Sequence, residues 1–384
     1  MKSEWMMKKF YEIVDFNPKE SIKKGTIAKK ISMDQLLPFC RDVKGYIKEN
    51  FSGGTKFRNG DTIMARITPC LENGKIAQIS VLDNGEIGFG STEYIVFRAK
   101  EDIADPNYIY YLVCSSLVRE PAIKSMVGSS GRQRVQLDVL KNLNIYIPAL
   151  TEQKKIGTFL GSIDKKIALN KKINDNLLQQ AQALYQHMFA DNPKTDWIEG
   201  TLSDIANITM GQSPSGSSYN EDGIGIIFFQ GRAEFGFRFP TIRLYTTEPK
   251  RMAYTNDILM SVRAPVGDIN IAHIDCCIGR GLAAIHSKSN HQSFVLYTMF
   301  SLKKQWDMFN GEGTVFGSIN RNSLNNVPIL IPTDDIIEEF EKTVAPMDVA
   351  IRNNYDEICR LQEIRDSLLP KLMSGELDVS GISL

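Results

Sequence analysis

The stretch that decides the fold reads IPALTEQKKIGTFLGSIDKKIALNKKINDNLLQQAQAL over residues 147–184, and IPTDDIIEEFEKTVAPMDVAIRNNYDEICRLQEIRDSL follows over residues 331–368. The two stretches align without a gap at an offset of 184 residues, and the identities extend upstream to Leu140, which recurs as Leu324. A period this long, used twice, differs from the roughly 20–50-residue repeats of solenoid proteins. It predicts two similar halves, each a globular head followed by a long helix.

Composition places the chain among soluble globular proteins. It has 384 residues, of which 42% are hydrophobic and 23% are charged, enough for two or more domains with cores of their own. No apolar run approaches the roughly 18 residues that a membrane span needs, and the N-terminus lacks the apolar region of a signal peptide. The six cysteines and four histidines show no metal-binding spacing. We therefore expect no metal site, no membrane partner and a reducing, cytoplasmic location.

The net charge is zero, with 45 basic and 45 acidic residues. This balance is mild evidence against a nucleic-acid-binding protein, because neutralising phosphates requires lysine and arginine. A nucleic-acid-binding function would therefore need a local basic surface.

The segments that precede the two helices are typical of short strands and turns. The runs predicted as strands occupy 60–68, 75–82, 93–99 and 143–148 in the first half and 256–262, 268–274, 281–287 and 327–332 in the second. A helix should begin at Asp105, a suitable N-cap, with Pro106 at its first position; a matching helix is predicted around 291–306. The fold class is thus α+β, with two mostly antiparallel heads and a linker near 190–197.

Both long helices carry the hydrophobic spacing of a coiled coil, with intervals alternating between four and three residues. The predicted helix-pairing positions are Ile156, Leu160, Ile163, Ile167, Asn170, Leu177 and Leu184 in the first helix and Phe340, Val344, Ile351, Asn354, Leu361 and Leu368 in the second. An amphipathic helix packed on its own head would show a similar stripe. The strict spacing in both halves favours pairing. Pro346 and Pro370 lie inside the second pattern and predict a kink or a late start, since proline costs about 3 kcal/mol within a helix.

The helices are predicted to pair in antiparallel orientation. They run from about 152 to 189 and from about 336 to 373, roughly 57 Å each at 1.5 Å per residue. A single chain with two heads reaches a compact pseudo-twofold arrangement when its helices are antiparallel. Asn170 and Asn354, at the midpoints, would then satisfy each other's amides, and helix length would set the distance between the heads.

These residues also carry a resemblance to a known family. IPALTEQKKIGTFLGSIDKKI, with its Pro-x-Leu-x-Glu-Gln-x-x-Ile opening, resembles the first conserved helix of the specificity subunit of type I restriction–modification enzymes, and LLPKLMSGELDV resembles the end of the second. In the first head RITPCLENGKIA, GFGSTEYIVFR and GSSGRQRV are similar to one group of that family's target recognition domains. In the second head GQSPSGSSYNEDGIGIIFFQG, DILMSVRAPVGDINIA and CIGRGLAAI are similar to another group.

The resemblance divides the chain into four segments. They are target recognition domain 1 (1–150), spacer helix 1 with its linker (151–192), target recognition domain 2 (193–333), and spacer helix 2 with the C-terminal tail (334–384). The two domains would be similar α/β target recognition domains, and the spacer helices would form an antiparallel coiled coil with pseudo-twofold symmetry.

The resemblance implies a DNA-reading subunit that carries out no bond chemistry. Each head would read one half of a split, asymmetric double-stranded DNA target, and the partners would be two methyltransferase subunits and two restriction/translocase subunits. S-adenosylmethionine, ATP and magnesium would belong to those partners, and this chain would bind no cofactor. Consistent with this, the sequence has neither G-x-G-x-x-G nor G-x-x-x-x-G-K-[ST]. Residues 105–108, which faintly resemble a methyltransferase motif, are better interpreted as the start of a helix.

Base-reading candidates are polar residues in glycine-rich loops, where the backbone can approach a groove; arginine pairs with guanine and glutamine with adenine. In the first head they are Arg66, Thr68, Asn73, Lys75, Ser91, Thr92, Ser129, Ser130, Arg132, Gln133 and Arg134. In the second they are Gln212, Ser213, Ser215, Tyr219, Gln230, Arg232, Arg263 and Arg280. The alternative for each is an ordinary exposed turn, a satisfied hairpin or a disordered loop.

Two other function classes stay open at this point. A self-sufficient DNA-modifying enzyme predicts activity from the purified chain alone, and the missing cofactor loops disfavour it. A structural coiled-coil adaptor without nucleic acid fits the zero net charge, and it predicts association that is indifferent to salt.

Overall fold

A computed structural model describes residues 5–129, 131–310 and 317–379. Head 1 is a mixed α and β structure, as predicted, and it leads into the first long helix. Its elements are β1 Met6–Lys9, α1 Phe10–Ile13, β2 Val14–Phe16, β3 Ile27–Ile31, β4 Ile47–Asn50, β5 Thr55–Phe57, β6 Thr62–Ala65, β7 Ile76–Gln78, β8 Gly88–Gly90, β9 Tyr94–Ala99, α2 Pro106–Cys114, α3 Ser116–Lys124, α4 Leu137–Lys141, β10 Asn144–Ile147 and α5 Leu150–Tyr185.

The strands of head 1 form two four-stranded sheets, in the orders β2-β9-β6-β7 and β4-β3-β8-β5, and a ribbon of β1 with β10. Most pairs are antiparallel, but β3 and β8 are parallel. Asp105 caps α2 as predicted, because its carboxylate accepts a hydrogen bond from Tyr108 N at 3.0 Å. An apolar core joins α2 and the first sheet to the start of α5 and the end of the second long helix.

Head 2 follows a π-helical turn at Gln186–Ala190 that ends the first long helix. Its elements are β11 Ile198–Thr201, α6 Leu202–Ile205, β12 Ala206–Met210, β13 Tyr219–Asn220, β14 Ile226–Phe229, β15 Leu244–Thr246, β16 Met252–Ala253, β17 Ile258–Ser261, β18 Ile269–Ile271, β19 Cys276–Ile278, β20 Leu282–Ser287, α7 Gln292–Ser301, α8 Lys303–Met308, α9 Arg321–Asn325, β21 Pro328–Ile331 and α10 Asp334–Met373.

The sheets of head 2 repeat those of head 1. The orders are β12-β20-β17-β18 and β13-β15-β14-β19-β16, with a ribbon of β11 and β21. The parallel pair recurs as β14 with β19, and β13 is an added edge strand. The internal repeat therefore covers the heads as well as the helices.

The second long helix is continuous from Asp334 to Met373, so the predicted late start is wrong. Both prolines lie inside it: Pro346 is just over three turns from the first residue and Pro370 is in the last turn. Packing of the apolar face offsets the helical hydrogen bonds that these prolines cannot donate. Phe340 and Val344, which precede Pro346, are fully buried.

The chain divides into two compact units, Met1–Lys171 with Tyr355–Leu384 (unit 1) and Lys172–Asn354 (unit 2). Each unit therefore contains one head and half of each long helix. In unit 1, Asp164 pairs with Arg365 at 2.8 Å and Asn170 with Glu357 at 2.7 Å. Residue numbers rise along α5 as they fall along α10, so these two helix halves are antiparallel.

Unit 2 shows the same antiparallel pairing between the other two halves. Asn174 Nδ2 donates to Ile351 O at 3.2 Å, and Asn354 Nδ2 donates to Asn174 Oδ1 at 2.8 Å. The rings of Tyr185 and Phe340 lie 5.7 Å apart at the far end. The predicted direction of pairing is confirmed within each unit.

Asn170 and Asn354 belong to different units, so the pairing of their amides stays a prediction, and each amide donates to a residue of its own unit. Asn170 donates to Glu357, and Asn354 donates to Asn174. Asn174 also belongs to the four-and-three spacing. The helix seam, by which we mean the residues through which the two long helices contact each other, thus has two polar layers, one in each unit. The sequence predicted a single layer at the midpoint.

The remaining helix-pairing positions divide between two kinds of packing. Ile156 and Leu160 are buried in the core of head 1, together with Leu372 and Met373, as the alternative interpretation of the stripe predicted. Ile163 and Ile167 instead cluster with Ile358, and Leu361 packs against them. Ile351 is fully buried as well. The partly exposed positions are Leu177, Leu184, Leu361 and Leu368.

Within the described residues, no helix combines the length and apolar character that crossing a bilayer requires.

Candidate nucleic-acid interface

Three loops of head 1 meet in what we call the head 1 junction, residues 66–68, 91–93 and 132–135. Arg66 N donates to Glu93 O at 2.9 Å, and Val135 N donates to Arg66 O at 2.9 Å. Thr68 N donates to Gln133 O at 3.1 Å. The structure therefore brings together loops that are about 25 to 70 residues apart in the sequence and that contain many of the predicted base-reading residues.

An ion pair dominates the side chains of the head 1 junction. Arg134 donates from Nε and Nη2 to the Glu93 carboxylate, at 3.0 and 2.7 Å. Arg66 Nε lies 3.9 Å from the same carboxylate. The hydrogen bond from Arg134 lowers the pKa of Glu93, and Glu93 in turn raises the pKa of Arg134. One carboxylate is thus shared by two guanidinium groups, and the cluster keeps a net positive charge.

The other predicted residues of head 1 differ in how free their side chains are. Thr68 Oγ1 accepts from Gln133 N at 3.0 Å, and Ser91 Oγ accepts from Glu93 N at 3.1 Å, so both hydroxyls help to build the junction. Lys75 Nζ donates to Met33 O at 2.8 Å. The side chains that are exposed at loop tips are Asn73, Thr92, Ser129 and Arg132. Ser130 lies outside the described residues.

Head 2 contains the same backbone arrangement, the head 2 junction, at residues 262–264, 279–281 and 317–320. Val262 N donates to Gly281 O at 2.9 Å, and Ile319 N donates to Val262 O at 3.0 Å. Ala264 N donates to Gly317 O at 2.9 Å. These bonds correspond one for one to those of head 1. They place Ser318 where head 1 has Arg134 and Gly281 where head 1 has Glu93.

The head 2 junction opens into a groove of about 590 Å³ with a cationic rim. Arg263 and Arg280 line it, and both are exposed. Within the part of the chain that the structure describes, no carboxylate lies within ion-pairing distance of either arginine. Ser318 and Asn320 also line the groove. Sequence reasoning missed these two, although the 184-residue offset from the predicted Arg134 could have found Ser318.

Further predicted residues of head 2 surround Arg280. Arg280 N donates to Ser213 Oγ at 3.2 Å, and Gln212 N donates to Ile278 O at 3.0 Å. Gly279 lies so close to Gln230 that an added Cβ would be 2.8 Å from its carbonyl oxygen, which is why a glycine is needed here. The side chains of Gln212, Gln230 and Arg280 are exposed.

Three predicted residues of head 2 make other contacts. Arg232 is ion-paired with Asp268. Tyr219 donates its hydroxyl to Pro214 O at 3.1 Å, and Ser215 Oγ lies 2.8 Å from Ser217 Oγ. The structure therefore does not bring these three to the Arg263 and Arg280 groove through any contact that it describes.

Both heads match one family model, the type I restriction modification DNA specificity domain, over residues 2–179 and 194–348. The chain belongs to the specificity subunits of type I restriction–modification enzymes. A relative from Methanocaldococcus jannaschii, assigned as the specificity subunit of the type I restriction enzyme MjaX, is 30% identical over 344 residues, covering 83% of this chain and 79% of the relative. The HindI specificity subunit of Haemophilus influenzae is 23% identical over 407 residues, covering 83% and 87%.

One solved structure shares the fold. The crystal structure of the S subunit of a type I restriction–modification system from M. genitalium covers 96% of both chains with a TM-score of 0.60 at 17% identity. Members of this family are DNA-recognition subunits, and the two specificity domains of this chain coincide with the two heads and the helical segments that follow them.

Proposed function

We propose that the specificity subunit reads a bipartite, asymmetric DNA target, one half with each head, through the two junctions. The observation that carries this proposal is that both heads build the same three-loop backbone and place different side chains on it. Arg134 and Glu93 occupy the positions that Ser318 and Gly281 occupy in head 2. A constant frame with variable donors and acceptors is what reading two different base sequences requires.

The protein acts as a recognition subunit and leaves bond chemistry to its partners. It directs two methyltransferase subunits and two restriction/translocase subunits to the target, and those partners bind S-adenosylmethionine, ATP and magnesium. The alternative of a self-sufficient DNA-modifying enzyme predicts methylation by the purified chain alone. The alternative of a structural coiled-coil adaptor predicts that the chain associates with its partner proteins without DNA. The basic groove side chains, Arg263 and Arg280, favour DNA over an adaptor role.

A head exchange tests the proposal. Replacing residues 1–148 with the head of a subunit of different specificity should change one half of the methylated target and leave the other half intact. Sequencing the methylated sites of the host strain with the gene intact, exchanged and deleted measures this. A change in both halves would contradict independent heads, and an unchanged methylation pattern after deletion would contradict the function itself.

Single substitutions test the assigned loops. Arg132→Ala and Arg280→Ala should each reduce discrimination against wrong bases by about 1–3 kcal/mol if each arginine contacts a base edge. Each effect should be confined to the half-target of its own head. Arg251→Ala, an exposed arginine outside the junctions, is the matched control. If both arginine variants fold and methylate with unchanged fidelity, Arg132 and Arg280 do not read bases and belong to ordinary exposed turns.

A further inference from the structure

The geometry around Glu93 leaves one edge of the Arg134 guanidinium free. Nε lies 3.0 Å from both carboxylate oxygens, and Nη2 donates to Oε1 at 2.7 Å. No described residue accepts a hydrogen bond from Nη1. A guanidinium has five N–H donors in a fixed plane, so three remain, and two of these, one on Nη1 and one on Nη2, lie on the Nη1–Nη2 edge. That edge matches any acceptor that takes two parallel hydrogen bonds.

The same contacts fix the direction in which this edge points. The Arg134 side chain is 44% exposed, whereas that of Glu93 is 25% exposed and is held by a backbone bond from Arg66 N to Glu93 O. An isolated exposed arginine loses rotamer freedom when it binds. Here the carboxylate has already ordered the side chain, so less of that entropy remains to be lost on binding DNA.

We propose that Glu93 is a positioning residue that holds Arg134 with its Nη1–Nη2 edge free for a bidentate acceptor on the DNA half-target of head 1. The inference rests on the proposed function. The shared chemistry is a pair of adjacent acceptors, which a guanine supplies through O6 and N7 and a backbone phosphate supplies through two oxygens. Head 2 has Gly281 and Ser318 at these positions, so the effect belongs to one half-target.

The test uses the complex of this chain with its methyltransferase subunits and measures DNA affinity by titration at several salt concentrations. If the wild-type complex binds no bipartite target, the proposed function is contradicted, and with it the inference that rests on it. Where wild type binds, Arg134→Ala and Glu93→Ala should each weaken binding by roughly tenfold to a hundredfold. Glu93→Gln, which keeps one acceptor oxygen, should lose less. Glu120→Ala, which breaks the exposed ion pair with Lys124 outside the head 1 junction, is the matched control and should bind like wild type.

The double variant Glu93→Ala/Arg134→Ala separates positioning from bulk packing. If Glu93 acts through Arg134, adding Glu93→Ala to Arg134→Ala should cost little more than Arg134→Ala alone. An undiminished further loss in the double variant would overturn the proposal, as would wild-type affinity in Glu93→Ala. If Glu93→Ala fails to fold, the same cycle is run with Glu93→Gln.

Two arms of the titration distinguish the acceptors. With a guanine, the loss in Arg134→Ala is confined to targets that carry that guanine in the first half, and the salt dependence is nearly unchanged. With a phosphate, the loss is equal for every target, and the slope of log affinity against log salt shrinks by about 0.9. Either pattern supports the bidentate acceptor, whereas a loss in the second half-target alone contradicts it.

Discussion

In each unit an aspartate of a long helix contacts the head, and the arginine that balances its charge comes from a different place in the two units. Asp164 is buried, and the Asp348 side chain is 17% exposed. In unit 1, Asp164 of α5 accepts from Tyr111 at 2.5 Å and from Arg365 of α10 at 2.8 Å. In unit 2, Asp348 of α10 accepts from Tyr297 at 2.9 Å and from Arg238, and both donors lie in head 2. The aspartate and the tyrosine are repeated, but the arginine is not.

The difference can be traced to equivalent positions. Arg41 is the head 1 counterpart of Arg238, because the backbone bonds of Gln78 to Arg41 and of Ile271 to Arg238 correspond. Arg41 donates instead to Gln78 and Asn107 side chains at 2.5 and 2.6 Å. Both units therefore contain the same contact between an aspartate and a tyrosine hydroxyl. The arginine that balances the aspartate comes from the other long helix in unit 1 and from the head in unit 2. Burial raises the pKa of both tyrosines, so they stay donors.

The largest expected effect comes from removing the two carboxylates. Asp348→Ala should cost about 3–5 kcal/mol, because Arg238, whose side chain is 2% exposed, is left buried without its counterion. Asp164→Ala should cost about 1.5–3 kcal/mol, since Arg365 retains Asp366 at 2.8 Å. Urea unfolding combined with hydrogen exchange in each unit measures both, and Asp366→Ala is the exposed control. A larger loss for Asp164→Ala would reverse the comparison.

A smaller effect should separate the two polar layers of the helix seam. Asn174→Leu removes two hydrogen bonds in unit 2 and should cost about 1–3 kcal/mol. Asn170→Leu in unit 1 should be close to neutral, because within the described residues its buried Oδ1 accepts no hydrogen bond and Glu357 keeps Lys166 at 3.3 Å. Thermal unfolding of the two variants decides the order. Equal losses would show that both layers are satisfied alike.

The smallest effect is a pH dependence that head 1 has and head 2 lacks at the junctions. The pKa of Glu93 is lowered from 4.5 by the hydrogen bond from Arg134. A carboxylate whose pKa is depressed by folding stabilises the protein fully above its unfolded pKa, and this stability is lost as pH falls through the folded value. The stability difference between wild type and Glu93→Gln should therefore be constant near pH 7 and shrink below pH 4.5. Difference curves from urea melts that stay flat down to pH 3 would contradict this.

Much of the architecture could be predicted from the sequence because it rests on local signals. The strand patterns in 93–99 and 281–287 correctly predicted β9 and β20, and Asp105 with Pro106 correctly predicted the start of α2. The long helices follow from their spacing. The path of α10 through Pro346 could not be predicted, since tertiary burial of Phe340 and Val344 outweighs an intrinsic helix penalty.

Five of the six junction loops contain predicted residues, whereas the loop 317–320 and the pairings between the loops were not predicted. Arg134 and Glu93 are 41 residues apart, and their ion pair depends on a backbone bridge between Ile67 and Arg134 that has no local signature. The seam asparagines show the same limit. Spacing placed Asn170 and Asn354 on the face that packs against the other long helix, but it did not identify Glu357 and Asn174 as their partners.

Unit 2 is an uninterrupted segment from Lys172 to Asn354, whereas unit 1 needs residues from both sides of it. A ribosome therefore finishes unit 2 while the Leu372 and Met373 part of the head 1 core has not yet been made. Until then, Ile156 and Leu160 lack part of their apolar cover. Since domains fold as units during synthesis, unit 2 can complete its fold before unit 1. Head 1, although it leaves the ribosome first, therefore exposes part of its apolar core for longer than head 2 does.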